Sequence, residues 1–90
     1  MSSKSANRSV IVTNPAGLHA RPSAAIVKAV RRFKSKVEIR KNNEVVDAGN
    51  ILELMTLCAT QGTELLLTAK GADADQVLDA VVEEFAKRYE

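Results

Sequence analysis

The apolar positions of this chain recur with two different periods, and each change of period marks a new predicted element. Residues 36–40 alternate apolar and charged side chains, and residues 9–13, 44–47 and 63–69 are extended apolar or β-branched runs, so we predict four strands. Apolar spacing near 3.6 residues predicts helices over residues 20–32, from 51 to about 59, and from 74 to about 89. The element order is therefore β-α-β-β-α-β-α.

This order favours a sheet that helices cover on one face only. Three one-sided helices are most simply buried against one four-stranded antiparallel sheet, which predicts an α+β open-faced β-sandwich with three helices on one face. A ferredoxin-like split βαβ fold shares the first six elements, so order alone leaves both architectures open. We expect residues 8–90 to form a single domain and the polar residues 1–7 to form a disordered tail.

The first predicted helix has two faces. One arc is apolar and should face the core; it comprises Pro22, Ile26, Ala29, Val30 and Phe33. The opposite arc is small and apolar with a basic rim; it comprises Ala20, Ala24, Val27, Lys28 and Arg31. Such an arc is typical of a surface that docks another protein. From the residues alone, an ordinary solvated face with one exposed valine is an equally good interpretation.

The second predicted helix begins with the pattern of a capping box. Asn50 can accept from an amide one turn on, and Glu53 can reach back. Leu52 is expected to be partly exposed, and Cys58 is interpreted as a small buried hydrophobe. The core-facing positions are predicted to be Ile51, Leu54, Met55 and Cys58.

The third predicted helix has Asp73 and Gln76 as its capping pair. Its apolar stripe should pack on the sheet and comprises Ala74, Val77, Leu78, Val81, Phe85 and Tyr89. Its acids are interpreted as a solvated face: Asp73, Asp75, Asp79, Glu83 and Glu84.

Composition narrows the possible functions. A single cysteine and no Cys/His cluster indicate neither an internal disulfide nor a metal site, as fits a reducing cytoplasm. No apolar run reaches the roughly 18 to 20 residues of a membrane span, and the start of the chain lacks a signal peptide's apolar region, so membrane insertion is not expected. A net charge of +2 and few aromatic residues argue against nucleic-acid binding.

The cations are nevertheless concentrated in one part of the chain. Residues 21–36 contain no acid but six cations: Arg21, Lys28, Arg31, Arg32, Lys34 and Lys36. This distribution favours an acidic partner surface or a phosphate group.

The only histidine, His19, follows a Pro/Gly turn and directly precedes the first predicted helix. Unpaired amides and the positive dipole end favour an anion at such a helix start, and Arg21 adds a guanidinium there. Imidazole acts as nucleophile and leaving group, so the local chemistry points to phosphoryl transfer. Whether Arg21 holds the phosphate or pairs with a carboxylate at rest is open.

Gly17-Leu18-His19-Ala20-Arg21-Pro22 resembles the active-site signature of the HPr-like family, the histidine-containing phosphocarriers of the phosphoenolpyruvate-dependent sugar phosphotransferase system. The similarity extends from Arg8 to about Tyr89. The resemblance implies a cytoplasmic, monomeric carrier without turnover or cofactor, phosphorylated on Nδ1 of His19, with Ala20 and Arg21 binding the phosphate. Its partners would be enzyme I, charged from phosphoenolpyruvate, and IIA domains. The docking residues it implies are Ala20, Ala24, Val27, Lys28, Arg31, Ile51 and Leu52.

Three positions depart from the family pattern. Asn50 stands where many relatives carry a regulatory serine, so phosphorylation by a serine kinase is excluded there. Glu53 replaces a common glycine beside the docking residues, and Ala16 replaces a polar loop residue. A nitrogen-branch or signalling paralogue, whose phosphorylation state controls a kinase or transcription factor, is the alternative. A small-molecule-binding ferredoxin-like domain requires that His19 be dispensable.

Overall fold

The computed structural model describes residues 4–89, which form four strands and three helices in the predicted order. The strands are β1 (Ser5–Ile11), β2 (Lys36–Lys41), β3 (Glu44–Asp47) and β4 (Glu64–Lys70). The helices are α1 (Ala20–Arg31), α2 (Ile51–Thr56) and α3 (Ala74–Ala86).

All strand pairs are antiparallel, and the sheet order is β1-β4-β2-β3. Side chains of β2 and β4 alternate between buried and exposed, as in a sheet with one covered face. The buried side chains of the sheet meet those of the helices in one core, which includes Val37, Ile39, Leu65 and Leu67 from the strands and Ile26, Leu54, Val77, Leu78 and Val81 from the helices. The predicted α+β open-faced sandwich is confirmed.

The first strand begins earlier than the sequence predicts. Residues 5–7 are expected to belong to a disordered tail, but they lie in β1, where Ser5 pairs with Lys70 and Ala6 with Ala69. Gly71 N–H also donates to Lys4 O at 2.9 Å. The prediction is wrong because these polar residues gain their order from pairing with β4, which local composition does not reveal. The remainder of the predicted tail, residues 1–3, lies outside the described residues.

The second helix is shorter than predicted, because Cys58 adopts a left-handed conformation (φ 50°) just after it. Cys58 is therefore exposed, and its interpretation as a buried hydrophobe is wrong. Met55 is 41% exposed, whereas Leu57 is fully buried, so Leu57 takes the core position that the helical wheel gives to Met55. The turn after the helix rotates the chain away from the predicted arc.

Asp73 does not cap α3 with its side chain. Its carboxylate accepts the amides of Lys34 and Ser35, each at 2.9 Å, and the hydroxyl of Ser35. The capping prediction and the solvated interpretation are wrong here because the loop before β2 competes for the carboxylate. The hydrogen bond from the Ser35 hydroxyl, with those from the two amides, lowers the pKa of Asp73 against the opposing effect of burial.

Two loops at one end of the sheet are hydrogen-bonded to each other, and one of them carries His19. Leu18 N–H donates to Ala59 O (2.8 Å), Val12 N–H to Thr63 O (2.9 Å) and Gly62 N–H to Val12 O (2.8 Å). Gly17 has φ +76°, and a Cβ there would lie 2.6 Å from Ala59 O. The close approach of the loops thus requires glycine at this position.

We predict that Gly17→Ala lowers the free energy of unfolding by about 2 to 4 kcal/mol, from left-handed strain plus steric overlap with Ala59 O. Urea denaturation measures this change. Gly62→Ala is the matched control: Gly62 has φ +91° but open space where a Cβ would lie, so it should lose only about 1 to 2 kcal/mol. Equal losses in the two variants would contradict the close loop contact.

We also predict a pH-dependent effect of Asp73→Asn. The amide offers one acceptor oxygen where two are used, so the variant should melt at a lower temperature than the wild type at pH 7. Because the pKa of Asp73 is lowered in the folded state, its stabilisation is present above the ordinary value of 3.8 and is lost as the pH falls below it.

Thermal unfolding at pH 7 and at about pH 3 tests this, since at pH 3 the carboxyl of the unfolded state, with its ordinary pKa of 3.8, is already mostly protonated and part of the stabilisation is lost. The difference in melting temperature between the wild type and Asp73→Asn should be smaller at the lower pH. Asp79→Asn, on an exposed side chain paired with Arg8, is the control and should change stability by less than about 0.5 kcal/mol. A gap of the same size at both pH values would refute the assignment.

Candidate functional site

His19 is the N-cap residue of α1. Its backbone is extended (φ −90°, ψ −166°), and its carbonyl accepts the first hydrogen bond of the helix, from Ser23 N–H at 3.0 Å. The imidazole makes no capping hydrogen bond. The predicted position at the helix start is confirmed, and the side chain is free to act on a ligand instead of on the helix.

The imidazole is half-buried, with its two nitrogens in different surroundings. Nε2 is buried and has no hydrogen-bond partner within residues 4–89. The exposed part of the residue therefore does not include Nε2. Nε2 is therefore not the ring nitrogen that a group approaching from solvent would reach.

The electrostatic setting at the start of α1 favours an anion. The first turn contains no acid, and Ala20 and Arg21 are both exposed. Pro22 has no N–H, and the amide of Ser23 donates to His19 O, so neither residue offers a backbone donor to an anion. The amides that come before them at the helix start belong to Ala20 and Arg21. These amides and the positive end of the helix dipole lie next to the imidazole.

Asn14 holds the loop that carries His19 through hydrogen bonds to Gly17. It is buried, its Nδ2 donates to Gly17 O (2.9 Å), and Gly17 N–H donates back to Asn14 O (2.9 Å). Its Oδ1 accepts from Tyr89 N–H at 3.1 Å. This role was not predicted from the sequence, although an Asn-Pro pair that opens a turn is a local signal for such hydrogen bonding.

The segment after α3 closes against the same loop. The Tyr89 hydroxyl donates to the Glu84 carboxylate, and burial together with Glu84 raises the pKa of Tyr89 to about 12. Burial opposes ionisation of Glu84, but the hydrogen bonds from Tyr89 and Lys87 and the charge of Lys87 lower its pKa overall. Glu84 is thus half-buried and paired, contrary to its predicted place on a solvated face.

Helices α1 and α2 bring together most of the predicted docking residues. Ala20, Ala24, Lys28 and Arg31 are exposed along α1, Leu52 is 73% exposed on α2, and Ile51 is half-buried. Val27 is only 8% exposed, so its prediction as an exposed side chain is wrong. A wheel of one helix could not show this, because Val27 is in the core that α2 helps to cover.

The junction before α2 fixes how the two helices meet. Arg31 Nη2 donates to Gly49 O at 3.2 Å, and Asn50 Oδ1 accepts from Glu53 N–H at 3.2 Å, which confirms the predicted cap. Glu53 does not return to Asn50; its carboxylate accepts from Asp47 N–H at 3.0 Å. Glu53 thereby places a negative charge next to the exposed Leu52.

Two further kinds of site are absent from the part of the chain that the structure describes. It contains no group of three or more His, Cys, Asp or Glu side chains placed to hold a metal ion. None of its helices has the length and apolar character needed to cross a membrane.

Comparisons with known proteins agree with this geometry. Residues 6–87 match the family model described as the PTS HPr component phosphorylation site. The phosphocarrier protein HPr of Treponema pallidum is 39% identical over 83 residues, which cover 92% of this chain and 94% of that protein.

Two solved structures share the fold. The HPr structure from Thermoanaerobacter tengcongensis superposes with a TM-score of 0.85 at 31% identity and covers 93% of this chain and 99% of its own. Crh, the Bacillus subtilis catabolite repression protein, has a TM-score of 0.74 at 36% identity, covering 86% and 88% of the two chains; it was crystallised as a dimer with a swapped domain. These matches decide against the ferredoxin-like alternative. Fold, signature and relatives together show that the chain belongs to the HPr family of phosphocarriers of the phosphotransferase system.

Proposed function

We propose that Nδ1 of His19 accepts a phosphoryl group from phosphorylated enzyme I and passes it to IIA domains. The observation that carries this proposal is the position of His19: it is the N-cap residue of α1, and burial of its Nε2 leaves Nδ1 as the ring nitrogen for a ligand at the anion-favouring helix end. Membership of the family supports the same chemistry.

The Nδ1 lone pair attacks phosphorus in line with the bond to the donor. The amides of Ala20 and Arg21 donate to the phosphoryl oxygens, and the Arg21 guanidinium offsets their charge. No acid in the first turn opposes the incoming group. Because the ring stays partly exposed, the phosphoryl group is presented to the next partner with little steric cover.

The protein acts as a stoichiometric carrier without turnover of its own. Each transfer joins two docked proteins, so its rate depends on positioning and electrostatics more than on chemistry supplied by a cofactor. Phosphoenolpyruvate is the phosphoryl source through enzyme I, and no cofactor is required. We place this cycle in the cytoplasm, with the carrier working as a monomer.

Both partners would bind the α1–α2 docking surface, formed by Ala20, Ala24, Lys28, Arg31, Ile51 and Leu52. Leu52 supplies an exposed apolar anchor, and Lys28 and Arg31 supply a basic rim. Val27 contributes by supporting this surface from the core, not by direct contact. A matching partner surface is apolar at its centre and acidic at its edge.

A regulatory role is the second candidate, favoured by the likeness to Crh and by the charge of Glu53 beside Leu52. In that role the phosphorylation state of His19 would control a kinase or transcription factor. Asn50 cannot take part in such control as a phosphoserine, since it has no hydroxyl. Failure of onward transfer to every IIA domain, with capture of a regulator by the phosphorylated form only, would favour this role.

We predict that the protein, incubated with enzyme I and phosphoenolpyruvate, gains one phosphoryl group that is labile in acid and stable in base, as expected for phosphohistidine. His19→Ala should take up none, because the acceptor nitrogen is absent. Intact-protein mass spectrometry measures the uptake. Thermal unfolding of His19→Ala, expected to stay close to wild type because the ring makes no capping hydrogen bond, excludes misfolding as the cause. No uptake by the wild type with a cognate enzyme I would remove the proposal.

We further predict that Leu52→Glu slows phosphoryl uptake from enzyme I by about tenfold or more, because a central apolar anchor is replaced by a charge. The rate is measured from the phosphorylated fraction in samples quenched at successive times. Leu66→Glu is the matched control: Leu66 is 39% exposed on the helix-free face of the sheet, and its variant should react at the wild-type rate. Equal slowing by both variants would argue against docking on α1 and α2.

A further inference from the structure

Two buried polar atoms at the start of α1 lack a hydrogen-bond partner in the described chain: His19 Nε2 and Ser23 Oγ. Ser23 is fully buried, at 0% exposure. An unsatisfied buried polar group costs free energy, so such atoms are rare in folded proteins. Alanine would fill the position of Ser23 without this cost, which indicates that the hydroxyl has a use.

The two residues are held together by the backbone. Ser23 N–H donates to His19 O at 3.0 Å, so the first hydrogen bond of the helix joins the backbones of the two residues. A serine hydroxyl inside a helix commonly donates to the carbonyl four residues earlier, but Ser23 Oγ makes no such bond to His19 O in the described chain. The lone pairs of Ser23 Oγ then remain available to accept a hydrogen bond near the imidazole.

We propose that Ser23 is a positioning residue for His19, with its hydroxyl oxygen accepting from the Nε2–H of the imidazole. This hydrogen bond would give each of the two orphaned atoms a partner at once. A proton held on Nε2 leaves the lone pair on Nδ1, which is the tautomer that the phosphocarrier function proposed above requires. In that respect the inference rests on the proposed function.

The contact also acts after transfer. The Nδ1 lone pair forms the N–P bond while the bond between phosphorus and the donor breaks, and its electron pair leaves with the donor. The Nε2 proton stays on the ring throughout, so no proton is transferred. The phosphorylated ring carries positive charge, and a charged donor binds Ser23 Oγ more strongly than a neutral one. Ser23 thus favours both the reactive tautomer and the loaded carrier.

The test is ring nitrogen NMR of the unphosphorylated protein at about pH 9, where an ordinary imidazole is neutral. The wild type should show a proton on Nε2 that exchanges slowly with water. In Ser23→Ala that proton should exchange about tenfold faster, and Ser23→Thr, which restores a hydroxyl, should recover part of the protection. Phosphoryl uptake from enzyme I should be about 3 to 10 times slower in Ser23→Ala.

Ser35→Ala is the matched control, because it removes another buried serine hydroxyl whose partner is Asp73, far from the ring. It should lower the melting temperature and leave the His19 ring signals unchanged. A wild-type proton on Nδ1, or equal exchange in wild type and Ser23→Ala, overturns the inference. If Ser23→Ala does not fold, the wild-type protein alone tests the inference: a slowly exchanging proton on Nε2 supports it, and a proton on Nδ1 or fast exchange overturns it. Ring signals that respond to Ser23 in a protein that takes up no phosphoryl group would refute the carrier function and leave this contact standing.

Discussion

The contact between the loop that carries His19 and the loop that leads into β4 is the constraint on which the site depends. Leu18 N–H reaches Ala59 O, and the backbone can come this close only because Gly17 has no side chain. With these backbones joined, the imidazole is set at the first turn of α1 by residues distant in sequence. A mobile loop would lose binding energy each time it had to be ordered for a partner.

The order and bounds of most elements could be predicted because their signals are local. Strand β3 has the bounds that the sequence predicts, and in the turn between β2 and β3 Asn42 adopts a positive φ (54°), which asparagine tolerates better than most residues. The Asn50 cap was likewise readable from four neighbouring residues. Such patterns depend on the chain's own geometry, so the tertiary structure did not override them.

Most of the errors have the opposite character, because the residue concerned contacts a partner far along the chain. Asp73 binds the amides at the end of the α1–β2 connection, Val27 is in the core beside α2, and Ser5 is ordered by Lys70. In the site, His19 and Arg21 could be found from the signature alone. Ser23 could not, because its place in the site comes from burial and from hydrogen-bond satisfaction in three dimensions, and for Asn14 the Asn-Pro turn was the only local signal.

Tyr89 joins the end of the described chain to this arrangement: its amide donates to Asn14 and its phenol to Glu84. It is also the protein's sole tyrosine, and there is no tryptophan. The intrinsic ultraviolet emission of the molecule therefore originates at one ring, two hydrogen bonds away from the backbone of Gly17. Breaking the hydrogen bonds of Tyr89 to Asn14 and Glu84 changes the environment of this ring and hence its fluorescence. The phosphoryl site therefore has a nearby intrinsic fluorophore.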